Sequence, residues 1–484
     1  MPISTSPIRR IECAVPICVD LDGTLIQGDL FAESVLAVLR ANCLLVFLIP
    51  IWICSGIANL KAKIASYHSP DPALLPYNED LLEFLKRKKK EGHKLYLTTA
   101  ASSVHAARVA DYLGIFEGVL ASTPGRNLKG ERKLNAISQL LGQQPFLYAG
   151  NSQSDLAIWR ESAGVIAVNT PRRVQNHVDN GQIPVTARFP RRRSWWSASL
   201  RALRPYQWVK NALVFVPVLL SHQFLNTEKL LGAAVAFLSF SLCASSFYVL
   251  NDLFDIEADR AHPRKRARPF ASGDLTIGDG FKLMTAVAVL AVVCASFLPA
   301  AAARLLAVYA LVNVSYSLRL KQLLFFDTVV LAFLYTLRIF VGSQAAHIPV
   351  SMWTLAFAIF FFLGLALMKR LTELVSTKDR RLTEGSRRAY ASSDIAPLNS
   401  FASSALYGSV LIMFLYINSP DVARLYTRPE ALWFISLPLL YWIGRSLMLA
   451  NRGLMTDDPI VFAFKDVTSY FVGLAIIVCA LLAT

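Results

Sequence analysis

The stretch YVLNDLFDIEADRAHPRKRARPFASG, residues 248–273, decides how the rear of this chain folds. It ends an apolar run at 229–250 that is long enough to cross a bilayer core of ~30 Å as a helix. Asp252, Asp255 and Asp259 are spaced so that they can share one face of a helix. Carboxylates this close repel each other unless a cation lies between them, and ligand sets made only of oxygen favour Mg²⁺. The stretch therefore predicts a divalent-metal site at the end of a membrane-spanning helix.

A block of cations follows these acids. Asn251 opens the motif, and His262, Lys265, Arg266 and Arg268 supply hydrogen-bond donors for phosphate oxygens. Solvated acids at a helix end are the alternative interpretation. Three carboxylates in register, followed by a basic block, favour a site for a phosphorylated substrate that binds together with a metal ion.

The composition places much of the chain in lipid. Hydrophobic residues make up 54% of the 484 residues and the mean hydropathy is +0.44, which is too apolar for an ordinary soluble protein. Nine apolar stretches of membrane-crossing length lie near 208–225, 229–250, 280–298, 301–318, 325–346, 352–368, 400–418, 431–449 and 464–482. Charged residues crowd into the part of the chain before these stretches and into a few later loops. A water-soluble front half and a membrane-embedded rear half are predicted.

The loops between the apolar stretches differ in charge. Those after the second, fourth, sixth and eighth stretches are rich in Lys and Arg, with Arg264 and Arg387 as examples. The opposite loops contain only Lys229, Arg304, Arg424 and Arg428. Because basic loops stay on the cytosolic side, we expect the front half and both sites there, in a bacterial inner membrane.

The charge and the cysteines narrow the choice of partners. A net charge of +16 could indicate nucleic acid, but the basic residues lie next to apolar spans and Trp residues. Anionic lipid and phosphorylated substrates are therefore favoured, and no nucleic-acid partner is expected.

The seven cysteines show no metal-ligand spacing and are interpreted as small buried residues in a reducing compartment. No apolar run of signal-peptide length precedes the first motif, so we expect a cytosolic front half.

The front half begins with CAVPICVDLDGTL, residues 13–25, a short apolar run that ends in two carboxylates. This pattern is typical of a buried parallel strand, and open α/β sheets place their sites at the carboxyl ends of such strands. Asp20 and Asp22 point to the same side of the strand end. One can attack phosphorus while the other supplies or removes a proton, with Mg²⁺ offsetting the charge.

Three further pieces follow in the order that a phosphate site requires. They are KLYLTTA at 94–100, LKGERK at 128–133 and FLYAGNSQSDLAIW at 146–159. The first ends in hydroxyls, so Thr99 or Thr98 can donate to a phosphoryl oxygen. The second offers Lys133, in preference to Lys129, as a cation for the same phosphate, and the third carries Asp155.

Together these pieces resemble the haloacid dehalogenase superfamily of phosphatases over roughly residues 14–170. The resemblance implies an α/β Rossmann-like domain with a helical cap at about 26–90. It makes Asp20 the phosphorylated nucleophile and Asp22 the general acid/base. It also makes Thr99 and Lys133 the phosphate clamp, and it adds Asp155 to Asp20 and Asp22 at the metal site.

One position departs from the family pattern. Asn151 stands where the family usually has Asp after the Gly of its last motif, so one carboxylate near the metal is missing. A working phosphatase and a degenerate domain retained for docking are the two interpretations. The expected domains are 1–175 for this part, 176–207 for a linker and 208–484 for the membrane part.

The linker alternates Arg with Trp in RFPRRRSWWSASLRALRPYQWVKN, residues 188–211. Arginine guanidinium groups bind lipid phosphates, and tryptophan rings lie between the apolar core and the water. This composition therefore predicts a segment in the headgroup layer of a membrane. A solvated basic linker is the alternative.

The rear half resembles the intramembrane UbiA prenyltransferase superfamily from about residue 200 to the end, because its first aspartate-rich motif reads NDxxDxxxD. The resemblance implies an all-α membrane domain of about nine helices around a central cavity. Its sequence motifs are most similar to those of the decaprenyl-phosphate phosphoribosyltransferase branch. The matching pieces are LRPYQWVKN, NDLFDIEADRAHPRKRARPFASG, YSLRLK, KRLTEL and TDDPIVFAFKD.

On this analogy, a set of polar residues lines the cavity: Lys210, Asn211, Lys321, Arg338, Lys369, Glu373, Asp457, Asp458 and Asp466. Asp458 is a further expected metal ligand, and Lys369 and Arg370 add cations at the cytosolic mouth. One piece departs from the branch, because SRRAY at Ser386 has a shorter spacing to its Tyr. The roles of Arg387, Arg388 and Tyr390 therefore stay open.

The resemblances imply a Mg²⁺-dependent transferase that joins phosphoribosyl pyrophosphate to a polyprenyl phosphate in the bilayer and releases pyrophosphate. A fused phosphatase would then remove the 5-phosphate of the product. A transferase that prenylates an aromatic or quinone-precursor acceptor, with a degenerate front domain, is the alternative within the same class. A lipid-binding scaffold with two degenerate sites is an alternative of another class, and the complete NDxxDxxxD motif argues against it.

Overall fold

The computed structural model describes residues 14–41, 45, 48–181, 183–191, 193–378, 390–455 and 458–484. The chain divides into two compact units. One contains the residues up to Ala202 together with Val249–Leu283, and the other contains Leu203–Tyr248 together with Met284–Thr484. The predictions about Cys13, Cys43, Arg387, Arg388 and Asp457 lie outside the described residues.

A six-stranded parallel sheet forms the centre of the first unit. Its strands are β1 Ile17–Val19, β2 Leu95–Ser102, β3 Gly118–Ser122, β4 Leu147–Gly150, β5 Gly164–Val168 and β6 Val185–Phe189, in the order β3-β2-β1-β4-β5-β6. The side chains of β1 are completely buried on both faces, which explains its uninterrupted apolar sequence. The predicted α/β fold is confirmed. The sheet continues past residue 175, because β6 pairs with β5 inside the segment predicted to be a linker.

Short helices lie between and after these strands in the chain. They are α1 Leu30–Ala41, α2 Ile49–Cys54, α3 Ile57–Tyr67, α4 Glu79–Lys90, α5 Ser103–Leu113, α6 Glu131–Leu141, α7 Leu156–Glu161, α8 Arg172–Asn180 and α9 Trp195–Leu203. Short 3-10 turns lie at Pro72–Leu74 and Gln153–Asp155. We call the sheet with α1–α8 the front domain.

The helices α1–α3 form the cap of the front domain. They have a small core of their own, built from Val38, Trp52, Leu60 and Ile64. By contrast, α4 buries Leu81 and Leu85 in the main core beside the sheet. The predicted cap at 26–90 is therefore too long at its end.

The helix α2, of six residues, is too short to cross a bilayer and exposes Ile51 and Ile53. Cys54 at its end is also exposed, so the expectation of uniformly buried cysteines is wrong there.

The rest of the chain is helical. The helices are α10 Val216–Leu220, α11 Thr227–Phe254, α12 Ile256–Ala261, α13 Ile277–Ala295, α14 Ala300–Leu318, α15 Phe326–Ala345, α16 Met352–Lys378, α17 Ile395–Ile417, α18 Pro420–Leu425, α19 Ser436–Asn451, α20 Pro459–Ala463 and α21 Val467–Ala483. The 3-10 segments are Pro205–Phe215, Lys265–Ala267, Leu320–Gln322, Ser392–Asp394 and Pro429–Ile435. Within the second unit, α15, α16, α17 and α19 share one apolar core.

Seven helical stretches among the described residues are long and apolar enough to cross a membrane. They are Thr227–Phe254, Ile277–Ala295, Ala300–Ser317, Phe326–Ala345, Met352–Ser376, Ser392–Ile417 and Pro429–Asn451, and the helix Val467–Ala483 is shorter. The predicted nine spans are therefore approximate. The first predicted span is instead the 3-10 segment Pro205–Phe215 followed by the five-residue α10, and the polar Lys210 and Asn211 are buried within it.

Candidate functional site

A buried ion pair lies at the carboxyl end of β1 in the front domain. Asp20 directly follows the strand, and its Oδ1 is 2.9 Å from Nζ of Lys133 at the start of α6. Both side chains are almost completely enclosed, and burial raises the pKa of Asp20 although Lys133 opposes the shift. The sequence analysis expected the two residues to act on the same phosphate, and that role stays a prediction. The preferred Lys133, and not Lys129, is the lysine that contacts the acid.

Asp22 lies on the other side of the same turn. Its Oδ1 accepts a hydrogen bond of 3.0 Å from the backbone N–H of Leu30, at the beginning of α1. Burial and the nearby Asp29 raise the pKa of Asp22 well above its usual range. A carboxyl group with a raised pKa retains its proton, which is the form that a general acid needs.

Lys61 of the cap was not found by sequence reasoning. Its Nζ donates to the carbonyl of Ala100 at 2.7 Å, and burial lowers the pKa of this lysine while Asp22 and Asp29 oppose the shift. A cationic side chain from α3 therefore lies within electrostatic reach of the strand-end acids. No spacing in the sequence could have indicated this, since cap and sheet meet only in the folded domain.

Asp155 is held in a fixed orientation by its own turn. Ser152 caps the 3-10 turn, and Oδ2 of Asp155 accepts from the N–H groups of Asn151 and Ser152 at 3.1 and 2.9 Å. Its other oxygen accepts a 3.1 Å bond from the hydroxyl of Tyr148, which also contacts Lys133 at 3.0 Å. Tyr148 thus links the acid to the lysine, a connection that the sequence did not reveal.

The departure at Asn151 is visible in the turn after β1. Gly23 has φ +72°, and a Cβ there would lie 2.1 Å from Nδ2 of Asn151. The amide therefore packs directly against the Asp20–Gly23 turn, where the family pattern puts a carboxylate. Thr99 and Thr98 are both completely buried in β2, and Oγ1 of Thr99 accepts from the N–H of Ala101 at 3.0 Å.

The carboxylates of the front domain are suited to a magnesium ion. Asp20 and Asp22 are oxygen donors whose ionised forms are disfavoured by burial, and a divalent cation would relieve that cost. Among the described residues, no cluster of three or more His, Cys, Asp or Glu side chains forms a ready metal site. The remaining ligands would have to come from backbone, water or substrate oxygens.

The acidic motif of residues 251–259 is not one continuous helix. The helix α11 ends at Phe254, Asp255 has φ −101° and ψ 11°, and α12 begins at Ile256. Because of this break, Asp252 and Asp259 come together while Asp255 faces a different partner. The expectation that all three acids share one helix face is therefore wrong.

Arg268 bridges two of the acids. Its Nη1 is 3.1 Å from Oδ1 of Asp252 and 2.7 Å from Oδ2 of Asp259, and both carboxylates are nearly buried. Burial raises the pKa of Asp259, and Arg268 opposes the shift. Two buried carboxylates that already share one cation have the charge and the oxygen donors that Mg²⁺ requires. Arg268, predicted to bind substrate, holds the pair together in this structure.

The other predicted residues of this segment lie around the pair. Asn251 is half-buried on α11. His262 ends α12, and its Nδ1 accepts from the N–H groups of Arg264 and Lys265. The side chains of Lys265 and Arg266 are exposed on the next turn. The structure therefore presents two cations to solvent, while His262 shapes the turn that carries them.

The second unit contains a separate buried cluster around Asp458. Its Oδ2 is 2.9 Å from Nζ of Lys210 and 3.0 Å from Nζ of Lys369, and the hydroxyl of Tyr335 lies 3.4 Å away. Burial favours the neutral acid, but the two lysines hold the pKa of Asp458 well below its usual range. Two ammonium groups on one carboxylate leave the cluster with a net positive charge. This arrangement suits an anion better than the metal ion predicted for Asp458.

Asn211 and Arg338 extend this polar interior. Oδ1 of Asn211 accepts from Nε of Arg338 at 2.9 Å, and its Nδ2 donates to Ser241 at 3.0 Å. The Arg338 guanidinium is also within 4.9–5.2 Å of the ring centres of Phe240, Tyr309 and Tyr335. A buried guanidinium enclosed by rings is stabilised by cation–π attraction. Arg338 is therefore an enclosed cation within α15 and not an exposed charge at a helix end.

Other predicted residues of the second unit have structural partners. Nε of Arg370 is 2.6 Å from Asp327, and its remaining donors bind Glu373 and Tyr316. Tyr390 donates to the same Asp327 at 2.6 Å. Two further predicted residues lie elsewhere: Lys321 is in the turn Leu320–Gln322, and Asp466 pairs with Arg445. A substrate role for Arg370 and Lys321 stays a prediction.

Comparison with known proteins agrees with the family resemblance of each half of the chain. Residues 212–464 match the UbiA prenyltransferase family, and residues 17–160 match the haloacid dehalogenase-like hydrolases. The chain is 33% identical to the uncharacterized protein y4nM of Sinorhizobium fredii over 461 residues, covering 95% of this chain and 89% of that protein. It is 36% identical to the nodulation protein NoeC of Azorhizobium caulinodans, over 58% of this chain and 94% of NoeC.

A third relative comes from the phosphoribosyl branch. The decaprenyl-phosphate phosphoribosyltransferase of Mycolicibacterium smegmatis is 34% identical, over 56% of this chain and 87% of its own length. Members of both matched families generally depend on Mg²⁺. The long apolar helices agree with an integral membrane protein. The chain is therefore an enzyme of the UbiA prenyltransferase family that carries a haloacid dehalogenase-like domain at its front.

Proposed function

We propose that the rear half transfers phosphoribose from phosphoribosyl pyrophosphate to a polyprenyl phosphate. The observation that carries this proposal is the pair of lysines, the buried Lys210 and the partly buried Lys369, that both contact Asp458. A cluster with surplus positive charge matches a phosphate acceptor, and an aromatic acid acceptor needs fewer cations. The resemblance to decaprenyl-phosphate phosphoribosyltransferase supports the same choice.

In the proposed reaction, an oxygen of the lipid phosphate attacks the anomeric carbon of the sugar. The new carbon–oxygen bond forms as the bond to pyrophosphate breaks, and the product is a polyprenyl phosphoribose 5-phosphate. Lys210 and Lys369 would orient the attacking phosphate, and the exposed Lys265 and Arg266 would attract the charged sugar donor. Mg²⁺ held by the acids of the motif, with Asp252 and Asp259 at its centre, would offset charge on the leaving pyrophosphate.

The front domain would then remove the 5-phosphate. Asp20 attacks the phosphorus and forms an aspartyl phosphate, while the sugar oxygen leaves with a proton from Asp22. Water then releases inorganic phosphate and restores Asp20. The 2.9 Å contact between Asp20 and Lys133 supports this assignment, because the lysine can hold both the nucleophile and the phosphate. If Asn151 has abolished metal binding, the domain docks or regulates instead.

Radiolabelled phosphoribosyl pyrophosphate and polyprenyl phosphate, incubated with membranes containing the full chain, test the proposed sequence. We expect label in the lipid fraction, mainly as a lipid-linked ribose without its 5-phosphate, with release of pyrophosphate. Membranes lacking the protein are the control. Transfer of the prenyl chain to an aromatic acid, with no label entering lipid from the sugar donor, would identify the alternative aromatic prenyltransferase.

We also propose that the front domain and the basic loops lie on the cytosolic side of a bacterial inner membrane. The asymmetry of Lys and Arg between the loops supports this orientation. A cysteine introduced at Ser272 should then react with an impermeant maleimide only after the cytosolic side is opened. A cysteine introduced at Asp421 should react in intact cells, and the reverse pattern would overturn the orientation.

A further inference from the structure

The segment that carries the acidic motif packs against the cap of the front domain. We call residues 249–283 the acidic segment, and it belongs to the same compact unit as the front domain. Two ion pairs and one histidine–carboxylate contact join them, and each uses a residue of the cap region: Arg40 with Asp255, Glu33 with Arg260, and His68 with Glu257.

The pair between Glu33 and Arg260 anchors this contact. The guanidinium donates two parallel bonds of 2.7 and 2.8 Å to the carboxylate, and both side chains are almost completely buried. Nε of the same arginine donates to the carbonyl of Ala271 at 3.0 Å. The Arg260 guanidinium is planar, and all three of its nitrogens donate hydrogen bonds. It therefore fixes the orientation of α12 relative to α1 as well as the distance between them.

The backbones also approach closely. Gly273 has φ +78°, and a Cβ there would lie 2.4 Å from Cβ of Gln27 and 3.0 Å from its carbonyl oxygen. Any other residue would push the acidic segment away from the turn before α1. His68 adds a 2.6 Å contact to Glu257. The contact is therefore built from backbone fit as well as charge.

Arg40 acts at the break in the acidic motif. Its Nη2 is 2.7 Å from Oδ1 of Asp255, and its Nη1 donates to the carbonyl of Phe254, the last residue of α11. One side chain thus holds both residues at the point where α11 ends and α12 begins. That break sets how Asp252 on α11 faces Asp259 on α12.

We propose that Arg40 of the front domain is a positioning residue for the acidic motif of the transferase. By holding the carbonyl of Phe254 and one oxygen of Asp255, it keeps the motif bent so that its carboxylates converge on a divalent cation. Groups that orient metal ligands in this way typically affect metal affinity about 10- to 100-fold. The inference rests on the proposed metal-dependent transfer and makes the front domain part of the transferase machinery, beyond any hydrolysis it performs.

The test measures Mn²⁺ binding to the full chain by electron paramagnetic resonance beside a magnesium titration of transfer, both in detergent or vesicles. We expect the Mn²⁺ affinity of Arg40→Met to fall by the same factor as its magnesium requirement for transfer rises. With Arg40→Met, the Mg²⁺ concentration for half-maximal transfer should rise about 10- to 100-fold, while the rate at saturating Mg²⁺ stays near that of the wild type. Arg40→Lys should give an intermediate shift, because lysine retains the charge but lacks the fork. Arg87→Met removes an exposed arginine on α4 and should change nothing.

Arg40→Gln is a second neutral variant in case Arg40→Met does not accumulate. An unchanged magnesium requirement in both neutral variants would overturn the proposal. A lowered requirement would also overturn it, because Arg40 would then compete with the metal instead of positioning its ligands. A wild-type protein that transfers no phosphoribose would refute the proposed function, whereas active variants with wild-type titrations would refute only this inference.

Discussion

Replacing Asp252 with Ala is expected to reduce phosphoribosyl transfer by ~100-fold or more while the protein stays in the membrane. Asp252 is almost completely buried at the end of α11, and its Oδ1 shares Arg268 with Asp259. Removal of the carboxylate leaves too little negative charge to retain a divalent cation beside the leaving pyrophosphate. Asp255→Ala should also lower transfer, because it removes the carboxylate that Arg40 holds at the break between α11 and α12. The measurement is the initial rate of label transfer from phosphoribosyl pyrophosphate into lipid.

The control for both variants is Glu228→Gln, which removes an exposed acid in the first turn of the same helix. It should transfer at the wild-type rate. Raising the Mg²⁺ concentration should not restore Asp252→Ala, since a metal ligand and not merely affinity has been lost. If both alanine variants retain turnover, the acidic motif does not bind the catalytic metal.

Replacing Asp20 with Asn is expected to abolish removal of the 5-phosphate, with a loss of ~1,000-fold or more, because the amide cannot act as nucleophile. The lipid product should then accumulate with its phosphate, while the transfer rate is unchanged. The residue keeps its size beside Lys133, so the domain should fold. Separation of labelled lipids with and without the 5-phosphate measures the outcome. Tethering of the two domains raises the effective concentration of the second site to about millimolar, which favours direct processing.

Asp111→Asn, which changes an exposed acid on α5 of the same domain, is the matched control and should give the wild-type product. Equal amounts of the phosphorylated product from wild type and Asp20→Asn would show that the front domain does not hydrolyse this lipid. The domain would then contribute through its contacts with the acidic segment, and the interpretation of Asn151 as a lost metal ligand would be favoured.

The sequence by itself determined the two families, the parallel sheet with its acids at the strand ends, and the membrane-embedded rear half. These features depend on local patterns. Buried strands are uninterrupted apolar runs, membrane helices are long apolar runs, and the acids of a metal site stand at short spacings along the chain. Asp20 and Asp22 could be chosen because they follow an apolar strand, and Lys133 because LKGERK comes in the order that a phosphate site requires.

Only the tertiary structure decided which charges neutralise one another. Arg268 joins Asp252 to Asp259, two lysines far apart in sequence enclose Asp458, and Tyr148 connects Lys133 to Asp155. Helical periodicity put Asp255 on the same face as the other acids, but Arg40 holds it at the break after α11. An ion pair between residues hundreds of positions apart leaves no local trace in the sequence. Its strength depends on burial and distance, which exist only once the chain has folded.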